Sequence, residues 1–562
     1  MGADREWGGG SAPYSVLGAS SSRQRAVVSS DQPQPAPAGL ESAAHRRRLA
    51  SSAFVFALAT GLSRLLGLVR EIVARNYFGV EGKINAFTVA FQVPNLIRAL
   101  IADVAFTSAF VPVFSELLVK GERRRAWAVA SSLFWLLLLG LGGLVALGIL
   151  LAPLVVAPFG VPVGAGDLAV GLTRVLFPIV VLLGISGVFV GLLNSYDRFS
   201  APALSPVAWN LVIIVGLVLG VPRADSEDGK LYVYAASVLV GTVVQVLLPL
   251  PWLRGLDGHL RVAVDWRDPA VRRVFVLMLP VTISLGLINF NAVVDTLFAS
   301  RLLDPNLAPA AIDAAFRLYM LPQGLFSVAV ATVLFPSLSR AAAAGDLVAF
   351  RHWVGVGLRQ MAFLLLPAGA ACAVLADPIV RLVYERGAFT PRQTEVVAEA
   401  LAAFSLGLAF NGAMLMLNRA FFSLQSPWLP TGVALANLGL NAVLDAAFYP
   451  LGVWGIPLAT SVVNIVGALA LIELLRRRVG DVEAAETGRS ALLILLASGA
   501  LAVVARSAWQ GLDAALGRSL GAQLTAVALA LAAGALSYLV GCLLLGVRET
   551  RPLLALLGGR RS

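Results

Sequence analysis

Charge is scarce in this chain. Of 562 residues, 13% are Asp, Glu, Lys or Arg and 58% are hydrophobic, with a mean hydropathy of +0.83. An ordinary soluble domain carries roughly 25% charged and 45–50% apolar residues. A water-exposed surface needs far more charge than this, so a soluble globular enzyme is excluded, whereas lipid tolerates apolar outward side chains. Cysteine is nearly absent: Cys372 and Cys542 both lie in apolar runs and offer neither a disulfide framework nor a cysteine-rich metal site. The three histidines, His45, His259 and His352, are scattered and have no acidic cluster beside them, which argues against a membrane transferase or phosphatase. A Gly-rich phosphate loop of the GxxxxGKS type is also missing, so ATP hydrolysis is not expected.

What the chain has in plenty is long apolar runs. Fourteen stretches are long enough for a hydrocarbon core of roughly 30 Å. They fall near 50–76, 84–117, 126–151, 167–193, 202–221, 231–252, 274–300, 311–338, 352–376, 393–422, 428–448, 453–475, 489–508 and 520–546. The fold class is therefore all-α and polytopic. Residues 1–48 are rich in Gly, Ser, Ala, Pro and Gln and read as a disordered cytoplasmic tail, with no cleaved signal, because the first apolar stretch begins only near Leu49. The expected divisions are an N-lobe of six spans over 49–253, a linker over 254–273, a C-lobe of six spans over 274–478, two further spans over 479–546, and a C-terminal tail over 547–562.

The net charge of +11 suggests nucleic acid until it is located. Basic residues gather at Arg46 to Arg48, at Lys120 and Arg123 to Arg125, at Arg254, Arg261, Arg267, Arg272 and Arg273, at Arg476 to Arg478, and at Arg548, Arg551, Arg560 and Arg561. These are alternate connections, while the third-to-fourth and eleventh-to-twelfth connections have no Lys or Arg. That is the positive-inside pattern, which places both termini in the cytoplasm and removes the case for nucleic acid.

Two segments six spans apart read alike: ALIADVAFTSAFVPVFSE from Ala99 and QGLFSVAVATVLFPSLSR from Gln323, with Pro112 aligned to Pro336. An even number of spans separates them, so they cross in the same direction. A parallel duplication of six spans is the signature of a two-lobed transporter with its substrate site between the lobes.

Ionisable residues inside spans are costly, roughly 2.5 to 3.5 kcal/mol each on insertion scales, and therefore mark function. Span one carries Arg64, Arg70 and Glu71, span two carries Arg98 and Asp103, and span eight begins with Arg317. Arg70 is turned about 120° from Arg64 on a helix, so these side chains do not all point one way. Arg174, near the end of span four, reads as a snorkelling residue. Arginines in excess over acids make an anion site, since guanidinium forks match phosphate oxygens. Asp295 in span seven, and Asn441 with Asp445 four residues apart in span eleven, suit either a small cation or a polar helix contact.

SRLLGLVREIVARNYFG, INAFTVAFQVPNLIRALIADVAFTSAFVPVFSELL and LPQGLFSVAVATVLFPSLSR together resemble the MurJ (MviN) family of lipid II flippases, over about residues 50 to 550. The resemblance implies fourteen helices in two lobes around a cationic cavity, with a lipid groove beside the last two. It implies a substrate, undecaprenyl-pyrophosphate disaccharide-pentapeptide, moved from the inner to the outer leaflet of the bacterial cytoplasmic membrane by alternating access. The cavity arginines it implies are Arg64, Arg70, Arg98 and Arg317. A sodium ion held by Asp295, Asn441, Asp445 and Thr460 is implied by some members. The chain departs from the family in having Asn85 for an aspartate, and Asp103-Val104 for an acid-Gly pair. Two alternatives remain open: a flippase for another polyprenyl-linked glycan, and a scaffold that recruits cell-wall synthesis proteins through its tail.

Overall fold

The structure, a computed structural model, describes residues 38–101 and 104–550. Residues 1–37, the bulk of the expected tail, lie outside the described residues, as do Asp103 and the end of the chain from Arg551. The chain divides into two units, residues 1–51 and 52–562. The first, over its described residues, is the start of helix α1, which begins inside the segment expected to be tail. The second holds all the remaining helices.

Among the described residues there is no strand. The helices are α1 (Ala38–Phe78), α2 (Ile84–Ile101), α3 (Val104–Val119), α4 (Arg123–Leu150), α5 (Ala152–Val156), α6 (Gly166–Leu176), α7 (Pro178–Ser195), α8 (Ser200–Gly220), α9 (Glu227–Leu247) and α10 (Leu250–Leu253). A second series follows: α11 (Pro269–Leu302), α12 (Ala308–Pro322), α13 (Val328–Ala343), α14 (Leu347–Val374), α15 (Ala376–Tyr384), α16 (Pro391–Ser405), α17 (Leu408–Ser423), α18 (Trp428–Phe448) and α19 (Gly455–Val479). The chain closes on α20 (Ala484–Leu516) and α21 (Leu520–Leu544). Among the described residues, ten helices are long and apolar enough to cross a membrane, or eleven when the pair α16 and α17, bent by 44°, is one span. Helices also fill the other three expected segments, 50–76, 84–117 and 274–300.

Local sequence sets the ends of these helices. Ser226, Asp268, Asp346, Thr390 and Ser519 each accept a backbone N–H from the first turn, satisfying a donor that would otherwise be orphaned. Gly480 and Gly517 stop α19 and α20 in the positive-φ conformation that glycine adopts without strain.

The duplication suggested by two segments extends through all six spans. The ends of α1 and α11 (Phe78, Leu302), the starts of α2 and α12 (Ile84, Ala308), the ends of α3 and α13 (Val119, Ala343), and both ends of α4 and α14 are each 224 residues apart. From the starts of α8 and α18 onward the separation is 228, the change falling within the segments between α4 and α8 and between α14 and α18, where α15 and α16 are each four residues longer than α5 and α6. The counterpart of span two in the second half opens into a π turn over Gln323–Ser327.

One hydrophobic core runs through both halves. It crosses where α2 meets α12, whose Ala308, Ala310, Ala311, Ala314 and Ala315 are fully buried and allow close backbone approach. The final pair, α20 and α21, packs on α14 of the second half. Tyr538 donates to the Phe363 carbonyl at 2.7 Å, and Arg359 bridges Glu483 and Glu549 at 2.7 and 3.3 Å.

Candidate substrate cavity and cation site

The last turns of α1 carry Arg70, Glu71 and Arg75, all buried. Glu71 and Arg75 are four apart and share a face, and α12 presents Asp313 and Arg317 with the same spacing. The two helices interlock through these groups. Glu71 Oε1 receives Arg70 Nη2 at 2.6 Å and lies 3.2 Å from Arg317 Nη1. Asp313 Oδ2 accepts from Arg75 Nη2 at 2.8 Å and from Arg317 Nε at 2.9 Å. Arg70 also stands over the Trp209 ring, 4.6 Å from its centre. Three guanidinium groups against two carboxylates leave an excess of one positive charge, and only Arg317, with 34% of its side chain exposed, shows it to open space. A small cavity opens here, with Glu71, Arg75, Asp313 and Arg317 on its charged wall and Phe87 and Phe91 on its apolar one. Charges withdrawn from water persist only where each is paired, which this lattice achieves.

The four arginines singled out in the sequence do not share one contact. Arg70 and Arg317 meet through Glu71, as above. Arg64 lies six residues earlier, about 9 Å along α1, and is exposed; its Nη1 donates to the Gly324 carbonyl at 2.6 Å. Gly324 sits in the π turn, where the i→i−4 ladder is broken and a carbonyl is open to an outside donor. Arg98 grips Asn95 Oδ1, one turn back on α2, through Nε and Nη2 at 3.1 and 2.9 Å. Arg174 is exposed and donates to the Ile149 carbonyl at 3.3 Å.

The second polar set is brought together. Asn441 Nδ2 donates to Asp295 Oδ1 at 2.6 Å and to Asp445 Oδ2 at 2.9 Å, and Thr460 of α19 lies beside Asp295. Asn441 and Asp445 are fully buried, and Asn441 Oδ1 and Asp445 Oδ1 have no hydrogen-bond partner. Buried oxygens of this kind, next to two carboxylates, are what a small hard cation would satisfy. Glu71 and Asp295 are themselves 224 residues apart, so the two sites grow from the same position of the duplicated unit. One acid is ringed by arginines and the other by Asn441 and Asp445.

At the end remote from the 254–268 linker, polar bonds join the halves. Asn85, fully buried, donates through Nδ2 to the Val80, Gly82 and Asn306 carbonyls and accepts from Ala310 N at 2.8 Å. Val80 N donates to Gln393 at 3.1 Å, Ala388 N to the Asn76 carbonyl at 2.8 Å, and Gly160 N to Ser300 at 3.1 Å. Asn85, noted in the sequence as a departure, thus fills a role that needs an amide, since a carboxylate has no hydrogen to give the three carbonyls.

The model of the lipid II flippase MurJ family matches residues 74–518. The chain belongs to the MurJ family. A lipid II flippase MurJ of Burkholderia cenocepacia is 33% identical over 430 residues, covering 75% of this chain and 82% of the relative. A probable lipid II flippase MurJ of Bdellovibrio bacteriovorus is 30% identical over 511 residues, 88% of this chain and 96% of the relative. Among solved structures, a lipid II flippase MurJ in an inward closed conformation superposes with a TM-score of 0.72 at 25% identity, covering 89% of this chain and 100% of the other. A multidrug resistance MATE family transporter, inward-facing, shares the fold at 16% identity with a TM-score of 0.65, covering 77% and 99%. MurJ proteins are transporters, not enzymes.

Sequence reasoning missed several partners at these sites. Arg75 and Asp313 could have been found from their four-residue spacing to Glu71 and Arg317. Trp209 and Gly324 had no such signal, because each is met only through a neighbouring helix.

Proposed function

We infer that this protein moves lipid II from the inner to the outer leaflet of the bacterial cytoplasmic membrane. The observation that carries the reading is the Arg70–Glu71–Arg75–Asp313–Arg317 lattice, which binds the two halves together inside the membrane and retains a positive excess. A pyrophosphate cannot enter hydrocarbon bare, because an isolated buried charge costs many kcal/mol. A guanidinium-lined cavity removes that barrier by exchanging water for fixed donors. In this reading Arg317 and Arg64, both facing open space, receive the head group first, and Arg98 extends the binding surface along α2. The linker side faces the cytoplasm, in keeping with its arginines, and the Asn85 side is the closed outer end. The lipid tail stays outside, in the apolar surface beside α20 and α21.

Asp295, Asn441, Asp445 and Thr460 fit a sodium ion through the two unpartnered oxygens. Sodium, when bound, supplies a positive charge against two adjacent carboxylates. Asp295 on α11, Asn441 and Asp445 on α18 and Thr460 on α19 would then be held in one arrangement. The α11 helix also packs on α2 and α3 of the first half, so its position is tied to the state of both halves.

The test is exposure of lipid II at the outer leaflet in cells whose only flippase is this protein, comparing wild type with Arg98→Ala and Arg64→Ala at equal expression. Exposure by wild type and its loss in both variants is expected. Full exposure by both variants would remove the cavity assignment. Appearance of a different polyprenyl-linked glycan in place of lipid II would reassign the substrate.

A further inference from the structure

The linker between the halves has two unlike sides. Its inner side is fastened to the first half. Leu253, Leu256 and Leu260 pack on the core beneath, Arg261 N donates to Ser131 Oγ at 3.0 Å, Asp265 N to Ser132 Oγ at 3.2 Å, and Trp135 Nε1 to the Arg261 carbonyl at 2.9 Å. All three acids of the linker are engaged, Asp257 and Asp268 with the first half and Asp265 within the linker. Asp257 meets Tyr196, Trp127 and Arg123. Asp265 accepts from Arg267 N and Asp268 N, and Asp268 caps α11 and pairs with Arg125.

The outer side is left apolar and basic. Val262 is 83% exposed, Trp266 65%, and Val264 and Trp252 are exposed as well. Among the described residues, none of Arg254, Arg261, Arg267 and Arg272 is ion-paired, and Arg267 lies over the Trp266 ring at 5.1 Å. A strip of exposed valine and tryptophan flanked by unpaired arginines is poorly suited to water but matches a membrane interface, where aromatic rings sit at the head groups and arginines reach phosphates.

The height of the strip agrees. From Ser131 to Leu150, α4 rises about 30 Å at about 1.5 Å per residue, the thickness of the hydrocarbon core. With Leu150, where α4 ends, set at one boundary of that core, the two serines that hold the linker fall at the other, and Val262 and Val264, between their bonding partners Arg261 and Asp265, fall there too.

We propose that the outer side of the 254–268 linker is a binding surface for anionic phospholipid head groups of the adjoining leaflet, with Val262, Val264 and Trp266 entering the interface and Arg254, Arg261, Arg267 and Arg272 meeting the phosphates. The surface is independent of the cargo in the cavity. It fixes the segment connecting the two halves to the bilayer, so rocking of the halves takes place about a lipid-anchored joint.

The full-length protein in phosphatidylcholine vesicles, carrying equal fractions of either brominated phosphatidylglycerol or brominated phosphatidylcholine, tests this. Subtracting the fluorescence of Trp266→Phe from that of wild type isolates Trp266. Quenching of Trp266 at least two-fold greater by the brominated anionic lipid is expected, and combined Arg254→Gln, Arg261→Gln, Arg267→Gln and Arg272→Gln should equalise the two lipids. No quenching by either lipid would overturn the proposal, placing the strip in water or under another protein. Equal quenching of the wild type by both would overturn the recognition of anionic head groups. The wild-type comparison stands even if the multiple variant fails to fold.

Discussion

Glu71 holds together charges that would otherwise repel. Remove its charge, and Arg70, Arg75 and Arg317 face one another with only Asp313 between them. Stripping one partner from a buried pair costs roughly 3–5 kcal/mol, so Glu71→Gln should lower the thermal midpoint of the detergent-solubilised protein clearly, while Lys83→Gln, removing an exposed pair to Asp228, should leave it nearly unchanged. A Glu71→Gln protein as stable as wild type would mean that the lattice is not under this electrostatic constraint. The sister position behaves differently. If Asp295 and Asp445 share a sodium ion, sodium chloride should raise the midpoint above potassium chloride, by up to about 2.7 kcal/mol of linkage at a hundred-fold excess over Kd. Asp445→Asn should lose that difference, a readout that needs no transport. The arginines were visible in the sequence because charge in an apolar run is conspicuous. Their separation into an Arg70–Arg317 pair, an Arg64 contact and an Arg98 contact was not, since it depends on which neighbouring helix each one meets.

Helix by helix, the bonds between halves concentrate at the Asn85 end. Asn85→Ala removes one acceptor and three donor contacts at a fully buried position, and hydrogen bonds are worth about 1 kcal/mol each net. A shift of two or more kcal/mol toward opening is expected there, read as faster labelling of a cysteine placed at Ala310 by an impermeant thiol reagent from the outer side. Unchanged labelling would show that this end is not a gate. Gly387 offers a second handle: its φ is +59°, and an added Cβ would press on Asn76 backbone oxygen, so Gly387→Ala should loosen the same seam. On the opposite side, the hydrogen bond from Tyr196 holds the Asp257 carboxyl below its ordinary value, helped by Trp127 and Arg123. A depressed pKa stabilises above the unfolded value and is lost as pH falls through the folded one. The linker should therefore resist limited proteolysis equally at pH 7 and pH 5, and yield only in stronger acid. The fourteen apolar segments were legible because lipid demands unbroken runs of about twenty apolar residues. The π turn at Gln323–Ser327 and the extra turn of α15 were not, for neither alters composition.

Taken whole, the molecule is a duplicated six-span unit with an added pair of helices. The repeat was readable in span two and its counterpart, where Pro112 answers Pro336. The equal spacing of helix ends extends it to six spans although the polar residues have diverged, with Arg98 answered by Pro322 and Asp445 by Leu217. The added pair is fastened to the second half by Arg359, which is 8% exposed and bridges Glu483 and Glu549. Arg359→Met would leave Glu549 without its cation and Glu483 with His352 alone, and should release α20 and α21 from α14, seen as new protease sensitivity near Asp481 and slower transport with head-group binding retained.

The central claim is that guanidinium groups between the halves carry the pyrophosphate head across. It is tested most directly in proteoliposomes of the purified protein, by following transfer of lipid II between leaflets for wild type, Arg64→Gln and Arg317→Gln. Transfer by wild type, with a fall of at least ten-fold in each variant at unchanged fold and orientation, is the predicted result. Transfer at the wild-type rate by both variants would contradict it.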